Sequence, residues 1–464
     1  MSSTTAGLED FVGSARSAER EMLDRDLVRV IALVETGLFD DYVVYENRGK
    51  WVFATGITGS VALTSESVTT TWEGQVSVST WSGSPATALQ RACEAFSTTR
   101  WNAFGWVGFE FAAYTHGVRT GRFDGDTTLA YLFVPRIEIT WGHSDGNDVV
   151  VTGGTATERA AIFDALRTDS VDDVPSFGDL DIFEDSERYR ARTAEAIDEI
   201  CRGEYAKVIL SRTIPIPFEV DLPRTYRLGR LANTPARSFL LDAGGIEAAG
   251  FSPELVVSVD DRRMVSAEPL AGTRAFGVGA EEDSAARNDL EKDPKEIAEH
   301  AVSVRAAFHE VASVSEDDSA MVTDFMSVRE RGSVQHLAST VRGRLRAGMS
   351  PWDAFAAVFP AVTASGIPKR ESIDAIVRLE DSERALYSGA VVRTSSDGTL
   401  EAALVLRAVY QQQGHAWLRA GAGIVAQSTP DREFDETCEK LTSVAPYLVC
   451  RSDPRDTCAR DSER

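Results

Sequence analysis

Gly203-Glu204-Tyr205-Ala206-Lys207-Val208-Ile209-Leu210-Ser211-Arg212 is the stretch on which the fold is read. Before it, Tyr189, Ala196, Ile197, Ile200 and Cys201 recur at helical spacing over 186–202, with Asp185 or Ser186 as N-cap and Gly203 as the stop. After it, 207–213 is β-branched and strand-like. Alternation places Lys207, Ile209 and Ser211 on one face and Val208 and Leu210 on the other, so the lysine emerges at a strand end just past a helix terminator.

Outward from this junction, 238–241, 246–251, 255–259 and 264–266 read as a meander broken at Gly244-Gly245, Ser252-Pro253 and Asp260-Asp261, with Glu254 at a strand edge. A long helix is expected over 293–312, capped by Asp293 with Pro294 at its first position. It would carry Glu296, Glu299 and His300 on neighbouring turns. Shorter helices are expected over 352–358 and 372–377, then strands over 391–393, 402–410 and 416–420, and a closing helix over 431–448. Towards the N-terminus, 42–46, 51–54, 76–81, 129–141 and 149–151 read as strands. The aromatic run over 101–114 reads as packing rather than as an active-site wall. The acidic segment 169–185, with Pro175 and Gly178, reads as a surface connection, and the Arg/Asp-rich tail 451–464 as disordered.

With 464 residues and 43% hydrophobic content the chain has the makings of a large core. Its 72 acidic against 48 basic residues leave a formal charge of −24. That balance disfavours nucleic acid and anionic membrane surfaces as partners. An anionic substrate would have to be held by local cations against the global field. Five cysteines, at 93, 201, 438, 450 and 458, form no Cys-x-x-Cys pair and argue against zinc and a disulfide framework. No basic leader and no apolar run of membrane-spanning length is present, so a cytoplasmic location is expected.

Glu433, Glu436 and Lys440 fall on one face of the closing helix, a spacing that by itself also describes a solvated face. Glu296 and Glu299 on a second helix would complete an all-oxygen set suited to Mg²⁺ rather than zinc. Gly272, within Ala271-Gly272-Thr273, and Gly421-Ala422-Gly423 read as loops whose N–H groups could approach an anion. No Gly-x-Gly-x-x-Gly opens a helix, and no organic cofactor is expected. Arg407 stands between Leu406 and Ala408, where burial demands an anionic partner, either a structural acid or a substrate carboxylate. His336 could be a satisfied core histidine or part of a site.

These phrases, with Val362-Thr363-Ala364-Ser365-Gly366-Ile367-Pro368-Lys369 and Leu386-Tyr387-Ser388-Gly389-Ala390, resemble the chorismate-utilising enzymes from about residue 189 to 448. The stretch from Met326 to His336 and Glu433-Phe434-Asp435-Glu436-Thr437-Cys438-Glu439-Lys440 is most similar to the salicylate synthases of siderophore pathways. The resemblance implies an α+β fold: one large domain of two orthogonally packed antiparallel sheets flanked by helices. Residues 1–180 would be its sheet-rich half and 181–450 its catalytic half. It implies Lys207 as general base, Glu254 as general acid, and His336 and Thr273 lining the position of the second step. Gly272, Thr273, Thr363, Tyr387, Arg407, Gly421, Ala422, Gly423 and Lys440 would contact substrate, and Glu299, Glu433 and Glu436, with Glu296 close by, would hold Mg²⁺.

The activity implied is water addition at C2 of chorismate with loss of the C4 hydroxyl, giving isochorismate, followed by elimination of pyruvate to leave salicylate. Ammonia-using relatives usually carry Gln where Lys207 stands, and aminodeoxychorismate synthases carry a nucleophilic Lys where Ala271 stands, so water is the nucleophile expected. A monomer without a glutaminase subunit is expected. An isochorismate synthase that stops after the first step is the nearest alternative, ahead of an anthranilate-synthase-type subunit or an inactive binding relative. Gln427 departs from the acidic residue many relatives place there.

Overall fold

The computed structural model describes residues 3–96, 100–118, 127–142, 149–168, 176–277, 279–331 and 334–451, with side chains from Ala18 onward. The tail beyond Arg451, part of the acidic connection (169–175) and Gly332-Ser333 lie outside the described residues. The first strands are β1 (Tyr42–Asn47), β2 (Lys50–Thr64), β3 (Ser67–Trp72), β4 (Gln75–Thr80), β5 (Asn102–Val107), β6 (Thr128–Gly142) and β7 (Val150–Gly153). They are followed by β8 (Lys207–Ile216), β9 (Arg237–Ala243), β10 (Ile246–Ser252), β11 (Leu255–Val259), β12 (Met264–Ala267) and β13 (Leu270–Ala275). The last are β14 (Met321–Arg331), β15 (Val334–Arg344), β16 (Gly366–Ile367), β17 (Ala390–Ser395), β18 (Leu400–Leu404), β19 (Ala408–Gln412) and β20 (His415–Ile424).

Every pairing among the described residues is antiparallel, and besides the short branch β3–β4 two arms leave the long strand β2. One runs β1, β9, β10, β19, β20, β8 and β16. The other runs β6, β5, β17, β18, β11, β12 and β15, with β13 and β14 also paired to β15. Strands from either side of residue 180 are interleaved, since β1 pairs with β9 and β5 with β17. The arms are joined by two neighbouring corners. Leu404 N–H donates to the Glu254 carbonyl at 3.1 Å, and Phe251 N–H donates to the Arg407 carbonyl at 3.1 Å. Thus β10–β11 and β18–β19 turn from one arm into the other at the same place.

This corner corrects the expectation of one strand over 402–410. The chain breaks at Arg407, whose φ of +53° lies in the left-handed region that a strand cannot hold. The closing helix is also shorter than expected, Pro430–Leu441 followed by a turn of 3₁₀ helix, Ala445–Tyr447. Thr442 and Ser443 hydroxyls donate to the Glu439 and Lys440 carbonyls, and Pro446 has no N–H with which to continue. Several elements have no counterpart in the sequence reading, among them the helices Ser3–Glu35, Pro85–Glu94, Ala156–Ala165, Leu222–Ala232 and Ala280–Leu290 and the strands β3, β14 and β15. Among the described side chains of the helix Ser3–Glu35, Leu27, Val30, Ile31 and Leu33 are buried. The β14–β15 hairpin carries bulges near Asp324 that break a period-two pattern. The run over 101–114 is core as expected, with Phe104, Trp106, Val107, Phe109 and Phe111 buried. No helix among the described residues is long and apolar enough to cross a membrane.

One buried carboxylate ties the cleft wall together. Glu380, 2% exposed, accepts from Ser211 N at 2.7 Å and Ser211 Oγ at 2.9 Å. Arg384 donates to it at 2.6 and 2.9 Å, and Arg419 at 2.7 Å. Arg384 also donates to the carbonyls of Ile209 at 2.6 Å and Ala364 at 2.9 Å. The two guanidiniums hold Glu380 below the usual carboxylate range against the opposing effect of burial. Glu380→Ala would leave two guanidiniums buried without their acid. It should cost roughly 3–5 kcal/mol of unfolding free energy, read as a lowered urea midpoint at unchanged slope.

Candidate active site

A cavity of about 940 Å³ opens where the two arms diverge. It is lined by Lys207 from β8, Glu254 from the first corner, Gly272 and Thr273 from β13, and Glu296 and Glu299 from the helix Pro294–Val314. His336, Thr363, Tyr387, Arg407, Gly421 and Gly423 continue the wall, and Glu433, Glu436 and Lys440 come from Pro430–Leu441. Every residue expected to serve catalysis, substrate or metal therefore meets here except Ala422. It is fully buried and absent from the lining, because strand alternation turns it to the opposite face of β20 from Gly421 and Gly423.

The glycines are not loops, as the sequence suggested. Gly421 and Gly423 lie inside β20, and Gly272 sits on a bulge of β13 with φ of +83°. Their use is close approach. A Cβ on Gly423 would lie 3.2 Å from Lys207 Cε, and one on Gly421 would lie 3.0 Å from the Tyr387 hydroxyl.

Glu254 is 4% exposed and accepts from Thr363 Oγ1 at 2.8 Å. Burial lifts its carboxyl from 4.5 to about 8, against the opposing pull of Thr363 and Lys207. It is therefore largely protonated at neutral pH and can give a proton. Thr363, expected to contact substrate, spends its hydroxyl on this acid. Lys207, also buried, donates to Glu299 Oε1 at 2.5 Å.

Arg407 makes no ion pair among the described residues. Its Nη1 reaches the Arg331 carbonyl at 3.3 Å and its Nη2 lies 3.3 Å from His336 Nε2. Desolvation, together with the charge of Arg331, lowers it to about 10. A guanidinium only donates, so His336 Nε2 must carry the lone pair. The proton then sits on Nδ1, which lies 2.9 Å from Thr273 Oγ1. Burial and Arg407 lower the imidazole to about 3, so it is neutral. The cavity wall thus offers an anion a cation with no acid of its own.

The carboxylates share the cavity but do not form the cage expected. Among the described residues no three His, Cys, Asp or Glu side chains converge closely enough to hold an ion as they stand. Glu299 is drawn to Lys207, Glu436 to Lys440 at 2.7 Å and Glu296 to Arg274 at 3.1 Å, because repelling acids take the nearest internal cations. The chemistry of the set still suits a hard divalent cation. Glu433 Oε2 is buried without a hydrogen-bond partner among the described residues, and burial raises that carboxyl above its usual range, an environment that contact with a cation would relieve.

Sequence reasoning missed the Glu380, Arg384 and Arg419 cluster and the cavity residues Lys295, Ser428 and Arg432. Glu380 and Arg384 are four apart, the spacing of an ordinary surface pair, and only their burial reveals the role.

Residues 40–446 match the family described as chorismate binding enzyme. The chain is 49% identical over 414 residues to the salicylate synthase of Mycolicibacterium paratuberculosis (strain ATCC BAA-968 / K-10), across 89% of this chain and 90% of that one. Its structure is similar to anthranilate synthase component I from Streptococcus pneumoniae TIGR4, with TM-score 0.74 and 26% identity over 86% of this chain and 92% of that one. The menaquinone-specific isochorismate synthase from Escherichia coli shares the fold, with TM-score 0.66 and 18% identity over 88% of each chain. The chain belongs to the chorismate-binding enzyme family.

Proposed function

We propose that this protein is a Mg²⁺-dependent salicylate synthase that converts chorismate to isochorismate and then to salicylate and pyruvate for siderophore biosynthesis. The observation that carries the reading is a protonated buried carboxyl, Glu254, sharing one cavity with an amine, Lys207, and an unpaired cation, Arg407. The likeness to a salicylate synthase along nine-tenths of both chains supports it.

In the first step Lys207 takes a proton from water as the oxygen bonds to C2, while Glu254 gives its proton to the C4 hydroxyl, which leaves as water. Lys207 is free for this once Glu299 is engaged elsewhere. Glu299, Glu433 and Glu436, with Glu296 beside them, would hold Mg²⁺, which when bound supplies a Lewis-acid anchor for a substrate carboxylate. Arg407, Lys440 and the Tyr387 hydroxyl, with backbone along Gly421 and Gly423 and at Gly272, orient the other anionic groups. In the second step the ether bond at C3 breaks and the C2 hydrogen passes to the enolpyruvyl methylene, so His336 and Thr273 act by fixing that side arm. Ala271, at the wall, leaves no amine to compete with water as nucleophile. The enzyme works on this reading as a cytoplasmic monomer without a glutaminase subunit.

Purified protein given chorismate and Mg²⁺ should release salicylate and pyruvate in equal amounts, read by salicylate fluorescence and a coupled pyruvate assay, and chelator should stop both. Accumulating isochorismate without pyruvate would instead mark an enzyme that stops after the first step.

Lys207→Ala and Glu254→Gln should each lower turnover by about 10²–10⁴-fold in the same assay, with the fold intact by circular dichroism.

The proton on Glu254 is needed for reaction and is lost as pH rises, so kcat/KM should fall through an apparent pKa near 8. Thr363 lowers that value by its hydrogen bond, so Thr363→Val should move the alkaline limb to higher pH.

A further inference from the structure

The aromatic run of the N-terminal half contains a carboxylate that packing alone does not explain. Glu110 is 2% exposed, and its Oε1 accepts from the backbone N–H of Arg384 at 2.7 Å and of Ala385 at 3.3 Å. Phe109 N–H donates back to the Ala385 carbonyl at 2.8 Å. Glu110 Oε2 has no hydrogen-bond partner among the described residues. Burying a carboxyl with one oxygen unsatisfied is costly, so the two N–H groups it holds must matter.

Those N–H groups belong to the turn that presents Tyr387. Ala385 and Ser388 take φ of +48° and +60°, a conformation unfavourable for residues bearing a Cβ, so the turn needs outside support. The backbones also interlock. A Cβ on Gly389 would lie 2.3 Å from the Val107 carbonyl, and one on Gly108 would lie 3.2 Å from the Ala385 carbonyl. The turn is pressed directly onto the end of β5 at Val107 and onto the start of the short helix Glu110–Thr115 that follows it. Arg384 is stacked between Phe109 and Tyr387, its Cζ 4.5 and 5.6 Å from the two rings. The Tyr387 ring is buried, while its hydroxyl has no hydrogen-bond partner among the described residues and borders the cavity beside Gly421.

We infer that Glu110 is a positioning residue for substrate binding: it clamps the strained turn 384–388 so that the Tyr387 hydroxyl faces an anionic group of the substrate. The inference rests on the proposed reading that substrate occupies this cavity. Acceptor capacity at Oε1 and reach are what count, not charge. Burial raises the Glu110 carboxyl to about 7, so a neutral amide of the same length is a fair substitute.

The test is a set of KM and kcat measurements with chorismate and Mg²⁺ on Glu110→Gln, Glu110→Asp, Tyr387→Phe and the combined Glu110→Asp/Tyr387→Phe variant. Glu110→Gln keeps the acceptor at full reach and should stay within about twofold of the parent. Glu110→Asp is one methylene short and should raise KM about tenfold with a smaller change in kcat. In the Tyr387→Phe background the same change should have little further effect, because the hydroxyl it serves is gone. An unchanged KM in Glu110→Asp, or equal factors in both backgrounds, would overturn the coupling and leave the proposed function standing. An unchanged KM in Tyr387→Phe alone would overturn both the coupling and the placement of substrate at that hydroxyl.

Discussion

The site depends on one desolvated acid held between two arginines. Glu380 fixes Ser211 directly and, through Arg384, fixes the carbonyls of Ile209 and Ala364. Ile209 lies two residues from Lys207 on the same face of β8, and Ala364 follows Thr363, which holds Glu254. One buried ion cluster thereby sets both the strand that carries the amine and the segment that supports the acid. Such a cluster stabilises only weakly in net terms, but its geometry is stiff because removing any member leaves a bare charge behind.

Around that frame the cavity is organised by which charges lack partners. Arg212, Arg384 and Arg419 are spent on backbone, hydroxyl and carboxylate groups beneath the wall. Arg407 is not, and burial keeps Glu254 protonated against the opposing pull of Lys207. Lys207 and Lys440 pair with Glu299 and Glu436, so the acidic side of the cavity carries its own counter-ions. In a chain of net charge −24, the cavity still presents one guanidinium, Arg407, that pairs with no acid among the described residues.

Much of this was legible in the residues. Gly203 and the alternation after it placed Lys207 on the open face of a strand, and Asp293-Pro294 placed Glu296 and Glu299 on a helix that begins where expected. What pattern could not show is where strands change sheets. The apolar run through Arg407 is continuous, and only the neighbouring corner at Glu254 forces the break. Nor could spacing reveal that Ala422 faces away, that Thr363 donates to Glu254, or that the acids pair with lysines, since each is a matter of long-range contact. The clamp at Glu110 was hidden for the same reason, 274 residues from the backbone it holds.

In the proposed reaction, water enters at one ring carbon while the acid expels the hydroxyl from another. Reaction of chorismate in water enriched in oxygen-18, with salicylate analysed by mass spectrometry, tests this most directly. The phenolic oxygen should carry the heavy label from solvent. Salicylate formed with an unlabelled phenolic oxygen would mean that the original hydroxyl had migrated, and would contradict the roles given to Lys207 and Glu254.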